Sequence, residues 1–252
     1  MAAPIAATIA GEIFKRISDL IMPARSYFAR DDLRVRYLLA EEDKLIRVDP
    51  VAGHVARACT WQLVGDAEMV LDSIRAARSI RPRDPQVFGE TTPPLLNLGF
   101  FSRALESFRV SADPTGGFFT RYLAHGIGCG AFQQVAAFIS RAERMELDFE
   151  GVDVRPLLEA AEVLERNGVK DEEIAAQLDC FGELLREEGM FFTGTVPEVH
   201  LVREDEFEAV EVVFRVQAAA QPVADLMARV AEKIASRLDA IPQAFVFSLR
   251  SA

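Results

Sequence analysis

Only three cysteines, three histidines and one tryptophan occur among 252 residues. Cys59, Cys129 and Cys180 are isolated and odd in number, so neither a disulfide framework nor a zinc knuckle fits, and reduced thiols in a cytoplasmic setting are expected. Cations are also short: 28 Lys and Arg stand against 39 Asp and Glu, a formal net charge of -11. Capture of nucleic-acid phosphates or of an anionic membrane needs clustered Lys and Arg, so this balance argues against both and suits solubility and a basic partner. Long apolar runs are missing as well. The opening MAAPIAATIAGEIFKRISDLI lacks a basic start and is interrupted by Gly11, Glu12, Lys15 and Arg16 before a membrane span could form. Read at helical spacing, Ile5, Ile9, Ile13, Ile17 and Leu20 make one stripe, which predicts a docked amphipathic helix within residues 1–32.

What is present is the balance of a folded protein, half apolar and about a quarter charged. The middle of the chain carries a periodicity. Gly65 is followed by Val70, Ile74 and Ala77, Gly99 by Ala104, Phe108 and Ser111, and Gly130 by Val135, Ile139 and Ala142. Offsets of five, nine and twelve fall on one helical face. The glycines lie 34 and then 31 residues apart, each preceded by another apolar, helix-compatible segment. A glycine there can take the positive φ of a helix C-terminal cap, and Pro82 and Pro114 would stop the second helix of their units.

Helix, turn, helix and stop at a period near 34 resembles the tetratricopeptide repeat family over about residues 52 to 147, with Leu33 to Pro50 as half a unit. Trp61, Gly65, Val70, Ile74, Ala77 and Pro82 fit that pattern, as do Gly99, Phe101, Ala104 and Phe108. Three features depart from it. Pro93 and Pro94 fall where the first helix of the second unit should run and predict a short or broken helix. Leu123 and Gly126 replace a small residue and an aromatic, and the third unit ends without a proline. The alternative is an irregular helical bundle. The resemblance implies a concave face lined by the first helix of each unit, placing Gln62, Gln86, Asn97 and Thr120 near a bound protein. Trp61 reads as packing between helices.

Two further helices, one carrying Leu157, Leu158, Ala161 and Leu164 and the other Ile174, Leu178, Phe181 and Leu185, end at Gly168 and Gly189 and would cap the array over 33–189. Beyond Gly189 the period changes to alternation. TVPEVHLVR and AVEVVFRV flank the acidic EDEFE, a helix follows through Val223, Leu226, Val230, Ile234 and Leu238, and AFVFSL closes a strand. The expected fold is therefore mainly α, stacked antiparallel helical hairpins followed by a small α+β part, a β-β-α-β unit over 190–252. That unit is small for independent stability, and should lean on the helices or pair with another copy.

No catalytic, cofactor or metal site is predicted. His125 and Cys129 sit four residues apart without further ligands at metal spacing, and HGIGCG is preceded by a helical segment instead of the strand of a phosphate cradle and is followed by no Lys-Ser or Lys-Thr. The adjacent glutamate pairs 41–42, 172–173 and 187–188 diverge on a helix and form no dyad. The reading that follows is a non-enzymatic protein-interaction module of the adaptor, chaperone or immunity and antitoxin type, with self-association through the C-terminal sheet or N-terminal helix compatible with it. The alternative is an enzyme or small-ligand domain in the C-terminal part, with Glu211, Arg215 and His200 as its polar candidates.

Overall fold

The computed structural model describes residues 3–24, 26–112, 119–149, 151–192, 196–204, 207–216 and 220–251, with side chains from residue 9 at the N-terminus. Helices α1 (Ala3–Ile21), α2 (Leu33–Val48), α3 (Pro50–Val64), α4 (Ala67–Ile80), α5 (Pro85–Asn97) and α6 (Phe101–Ser111) come first. Then follow α7 (Phe119–Gly128), α8 (Phe132–Arg144), α9 (Arg155–Arg166) and α10 (Asp171–Glu187). The chain ends as β1 (Glu198–Glu204), β2 (Phe207–Val216), α11 (Ala220–Arg237) and β3 (Phe245–Ser251), so the fold is mainly α with a small α+β part.

Aspartates start four consecutive helices. Asp32, Asp49, Asp66 and Asp84 accept from backbone N–H groups in the first turns of α2, α3, α4 and α5, which would otherwise lack partners. Pro50 and Pro85 follow two of them at the first helical position, where a missing N–H costs nothing. Helix ends are equally uniform. Gly65, Gly99 and Gly130 stand between α3 and α4, α5 and α6, and α7 and α8, with φ of 72°, 66° and 76°. After Gly99 the pattern is explicit: its N–H donates to Leu96 O at 2.8 Å, and the Phe100 N–H donates to Leu95 O at 2.8 Å. That pair of bonds satisfies the last carbonyls of α5 and requires the left-handed conformation that glycine adopts without strain. The same pair of bonds closes α9 at Gly168 and α10 at Gly189.

One sequence expectation is corrected here. α5 is neither short nor broken, and runs 13 residues with Pro93 and Pro94 inside it. The prolines remove two N–H donors, but the residues just beyond them, Leu95 and Leu96, are 1% and 6% exposed. Burying both leucines contributes roughly 3–6 kcal/mol, of the same order as the combined penalty of two interior prolines at about 3 kcal/mol each.

The stripe on α1 packs against α2 and α3: Ile13, Ile17 and Ile21 are buried with Leu38, Leu45, Ala56 and Phe191, while Ile9 and Leu20 are partly buried beside them. The Ile5 side chain lies outside the described residues. Among the described residues no helix is long and apolar enough to cross a membrane.

The sheet has the order β1-β2-β3. β1 and β2 are antiparallel, with His200 opposite Glu211, and β2 and β3 are parallel, with Val212 opposite Phe247. α11 makes the crossover that a parallel pair needs. The sheet does not form a core of its own. Val210, Val212, Phe214, Phe245 and Phe247 are buried in the same cluster as α5, α6, α8, α9 and α10. Phe181 of α10 lies at its centre, its ring 5.8 Å from Phe214, 5.9 Å from Phe247 and 6.1 Å from Phe101 of α6. Residues 205 and 206, within the acidic EDEFE stretch, lie outside the described residues, as does Pro114.

α10 reaches this position by crossing the α5–α6 corner where both segments carry glycine. A Cβ on Gly182 would overlap the Gly99 carbonyl oxygen and lie 2.6 Å from its carbonyl carbon. Arg186, one turn further, donates from Nη1 to the carbonyls of Leu98 at 2.6 Å and Gly99 at 3.0 Å.

Candidate functional site

The four residues expected on the first-helix face divide into two pairs. Gln62, in the last turn of α3, is 3% exposed and accepts at Oε1 from Asn97 Nδ2 at 2.9 Å. A buried amide needs such a partner, and this one ties α3 to α5 across the stack. Asn97 also accepts at its carbonyl from the Phe192 N–H at 3.1 Å, joining the pair to the segment that leads into β1. Gln62 does not reach the surface, because α3 is buried along most of its length between α2, α4, α5 and α1. Gln86 and Thr120 are exposed, Gln86 in the first turn of α5 with Nε2 donating to Glu90 Oε1 at 2.9 Å, Thr120 at the start of α7. Trp61 is buried in the main cluster, as its place between helices predicts.

The alternative site is brought together, but on an open sheet. Glu198, His200, Glu211, Arg215 and Ser248 alternate onto the side of the sheet away from Phe214 and Phe247. Arg215 binds Glu198 Oε1 through Nε at 2.8 Å and Nη2 at 2.6 Å, and holds that carboxyl below its usual range. His200 Nε2 is 3.4 Å from the other oxygen of Glu198. Ser248 donates its hydroxyl proton to Glu211 Oε1 at 2.7 Å. That proton is therefore committed to a carboxylate and not to the imidazole, which leaves the serine unactivated in the sense of a Ser-His pair.

Only the last two residues of HGIGCG, Cys129 and Gly130, lie outside helix, at the corner to α8. α7 continues through His125, Gly126 and Gly128, and Gly126 is required by contact: a Cβ there would overlap Val135 Cγ2 and sit 2.8 Å from Phe108 Cζ. Burial first, and the Arg121 charge second, push the His125 pKa far below its usual value, so the ring is neutral. Cys129 Sγ contacts Gly126 O at 3.4 Å, and burial raises its thiol pKa. Burial likewise takes Cys59 up to about 12. Neutral thiols of this kind are poor nucleophiles and poor metal ligands. Among the described residues no group of three or more His, Cys, Asp or Glu is placed to hold a metal ion.

Two further polar nodes lie between the helices. Glu42 of α2 is fully buried and accepts the hydroxyl proton of Thr60 on α3, with Arg57 Nε 3.8 Å from its second oxygen. Desolvation outweighs both partners and raises its pKa from 4.5 to about 7. Arg78 of α4 donates from Nη2 to Thr91 Oγ1 at 2.8 Å and Ser107 Oγ at 2.6 Å, and its Cζ stands 4.0 Å over the Phe88 ring. Its acceptors come from α5 and α6, 13 and 29 residues away, so no local pattern announces the node. For Glu42 the available signal was its place among Val35, Leu38 and Leu45 on the buried face of α2. Comparison of this chain with protein-family models, curated proteins and solved structures finds no match.

Proposed function

We propose that this chain is a non-enzymatic protein-interaction module in which stacked helical hairpins, of the kind the tetratricopeptide resemblance implies, present the face of their first helices to another protein. The observation that carries the reading is the pairing of α3 with α4, α5 with α6 and α7 with α8 around corner glycines of positive φ, with α3, α5 and α7 in contact in sequence. Side-by-side first helices give an extended surface with little enclosed volume, which suits a protein better than a small substrate. The open part of that surface lies on α5 and α7, where the exposed Gln86 and Thr120 are the contact candidates, and the Gln62–Asn97 pair ties α5 to the covered α3.

The net charge of -11 favours a basic partner through steering and complementarity. Adaptor, chaperone and immunity or antitoxin roles all use such a surface. Free, buried Cys59, Cys129 and Cys180 accord with a reducing compartment, the cytoplasm. Self-association through the sheet or through α1 is compatible with the same role.

The test is affinity capture of the tagged full chain from its native cell at low and high salt, beside a double variant with Gln86→Arg and Thr120→Arg. A partner retained at low salt, released by salt and lost from the double variant is expected. Capture of no partner, or of the same partner by both proteins, would refute the assignment.

A further inference from the structure

A cavity of about 320 Å³ opens between α4 and α6, with Leu95 of α5 on its wall. Its charged lining is three arginines, Arg75, Arg78 and Arg103, against one carboxylate, Glu106. In a chain with an 11-charge acidic excess this local reversal of sign is unexpected. Of the three, Arg75 is already paired with Asp72. Among the described residues no carboxylate lies within ion-pair distance of Arg78 or Arg103, and Glu106 acts on Arg78 only at longer range.

Arg78 is the unusual member. Its Nη2 is held by two hydroxyls, and both have already given their protons away: Thr91 donates to Val87 O at 2.8 Å and Ser107 to Arg103 O at 2.9 Å. Those hydroxyls fix the guanidinium plane but carry no charge. Nε is buried with no partner. Burial pulls the Arg78 pKa down to about 10, the mark of a cation whose solvation is incomplete. A half-buried charge without a counter-ion is costly, and on the same cavity wall lies Arg103, which has the Phe100 ring 5.8 Å from its Cζ but, among the described residues, no carboxylate. Of the remaining lining, Leu71, Ile74, Pro82 and Leu95 are apolar, and Ser79 spends its hydroxyl proton on Ala76 O.

We infer that the α4–α6 cavity binds a small organic oxyanion, a phosphate ester or carboxylate on an apolar body, with Arg78 and Arg103 on the oxyanion and Leu71, Ile74 and Leu95 against the body. Guanidinium groups meet such oxyanions through paired N–H donors, and a ligand of this class supplies the charge that Arg78 lacks. The site is independent of the partner-binding face proposed above, since it uses none of its residues.

Isothermal titration of the full chain at low ionic strength tests this with phenyl phosphate, benzoate, inorganic phosphate and phenol. Saturable one-to-one binding of phenyl phosphate or benzoate is expected, at least tenfold tighter than inorganic phosphate, with no binding of phenol. The tighter of the two aromatic anions assigns the site to phosphate esters or to carboxylates. Arg78→Met should abolish binding. In the absence of ligand it should melt no lower than the parent, because it removes an uncompensated charge and keeps the stem. The exposed Arg103→Ala leaves the fold intact and should weaken binding about tenfold, the worth of a charge-assisted hydrogen bond. Phenol binding as well as phenyl phosphate, undiminished binding by Arg78→Met or Arg103→Ala, or no saturable anion binding would each overturn the inference.

Discussion

Replacing Gly182 with alanine tests the crossing of α10 over the α5–α6 corner, because two effects of opposite sign meet there. In an unobstructed helix interior the change stabilises by about 1 kcal/mol. At this position the new Cβ would come 2.6 Å from the Gly99 carbonyl carbon and 2.7 Å from its Cα. Both obstacles are backbone, so the two segments must separate by on the order of 1 Å instead of rotating a side chain aside. Separation stretches the Arg186 bonds to the Leu98 and Gly99 carbonyls and loosens the stacked Phe101 and Phe181 rings. Overpacking costs about 1–3 kcal/mol and weakened charge-assisted bonds about 1.5–3 kcal/mol, so the net after the helical gain is a loss of roughly 3 kcal/mol. In a chain of this size that lowers Tm by about 6–12 °C. Gly89→Ala in α5 is the control, since its Cβ would meet Ser111 Cβ and the Tyr122 hydroxyl at an ordinary 3.5 Å. It should raise stability by about 0.5–1 kcal/mol. Calorimetric melting of both variants decides the matter. If Gly182→Ala melts at or above the parent while Gly89→Ala behaves as stated, the close crossing is not what holds α10.

Glu42→Gln should alter how stability depends on pH. With a folded pKa of about 7 against 4.5 in the unfolded chain, the parent binds this proton more tightly when folded, so stability falls as pH rises from 4.5 to 7 and stays low above it. The variant should match the parent near pH 4 and exceed it at pH 8 by on the order of 1–3 kcal/mol in urea unfolding; an unchanged difference across that range would refute buried ionisation. Asp171→Ala removes the carboxylate that accepts from the Gln133 N–H at 3.0 Å and the Gln134 N–H at 3.2 Å at the start of α8. A loss of about 1–2 kcal/mol and faster amide exchange confined to the first turn of α8 are expected, and uniform exchange would count against a capping role. A chain ending at Gly189 uncovers Phe101 and Phe181, and should bind a hydrophobic dye and lose its cooperative melt; a cooperatively melting, dye-silent fragment would show that the helices need no sheet.

The helices were legible because their apolar residues recur at helical spacing, and the corners because glycine marks a positive φ. Gly65, Gly99 and Gly130 all stand where the spacing placed them. A finer period runs through the same stretch. Asp32, Asp49, Asp66 and Asp84 lie 17, 17 and 18 residues apart, one for each helix start, and Asp-Pro at 49–50 and 84–85 marks two of those starts directly. At Pro93 and Pro94 local preference points to a break, and the burial of Leu95 and Leu96, which no local pattern shows, overrides it. Register puts Gln62 and Asn97 on the first-helix face but does not reveal that α1 and α2 cover α3. The Arg78 node had no local sign at all, as its guanidinium is held by hydroxyls on two other helices.

The phenylalanine cluster around Phe181 has a consequence for biosynthesis. Phe101 emerges 148 residues ahead of Leu249, and both belong to the same buried cluster. At about 5–20 residues per second, the ribosome takes roughly 7–30 s to deliver the strand that completes the enclosure. During that interval the nascent helices carry an aromatic patch with no cover, the kind of surface that holdase chaperones bind. Slow translation downstream of Gly189 would lengthen the exposure, and codon choice over β1 to β3 becomes a determinant of yield.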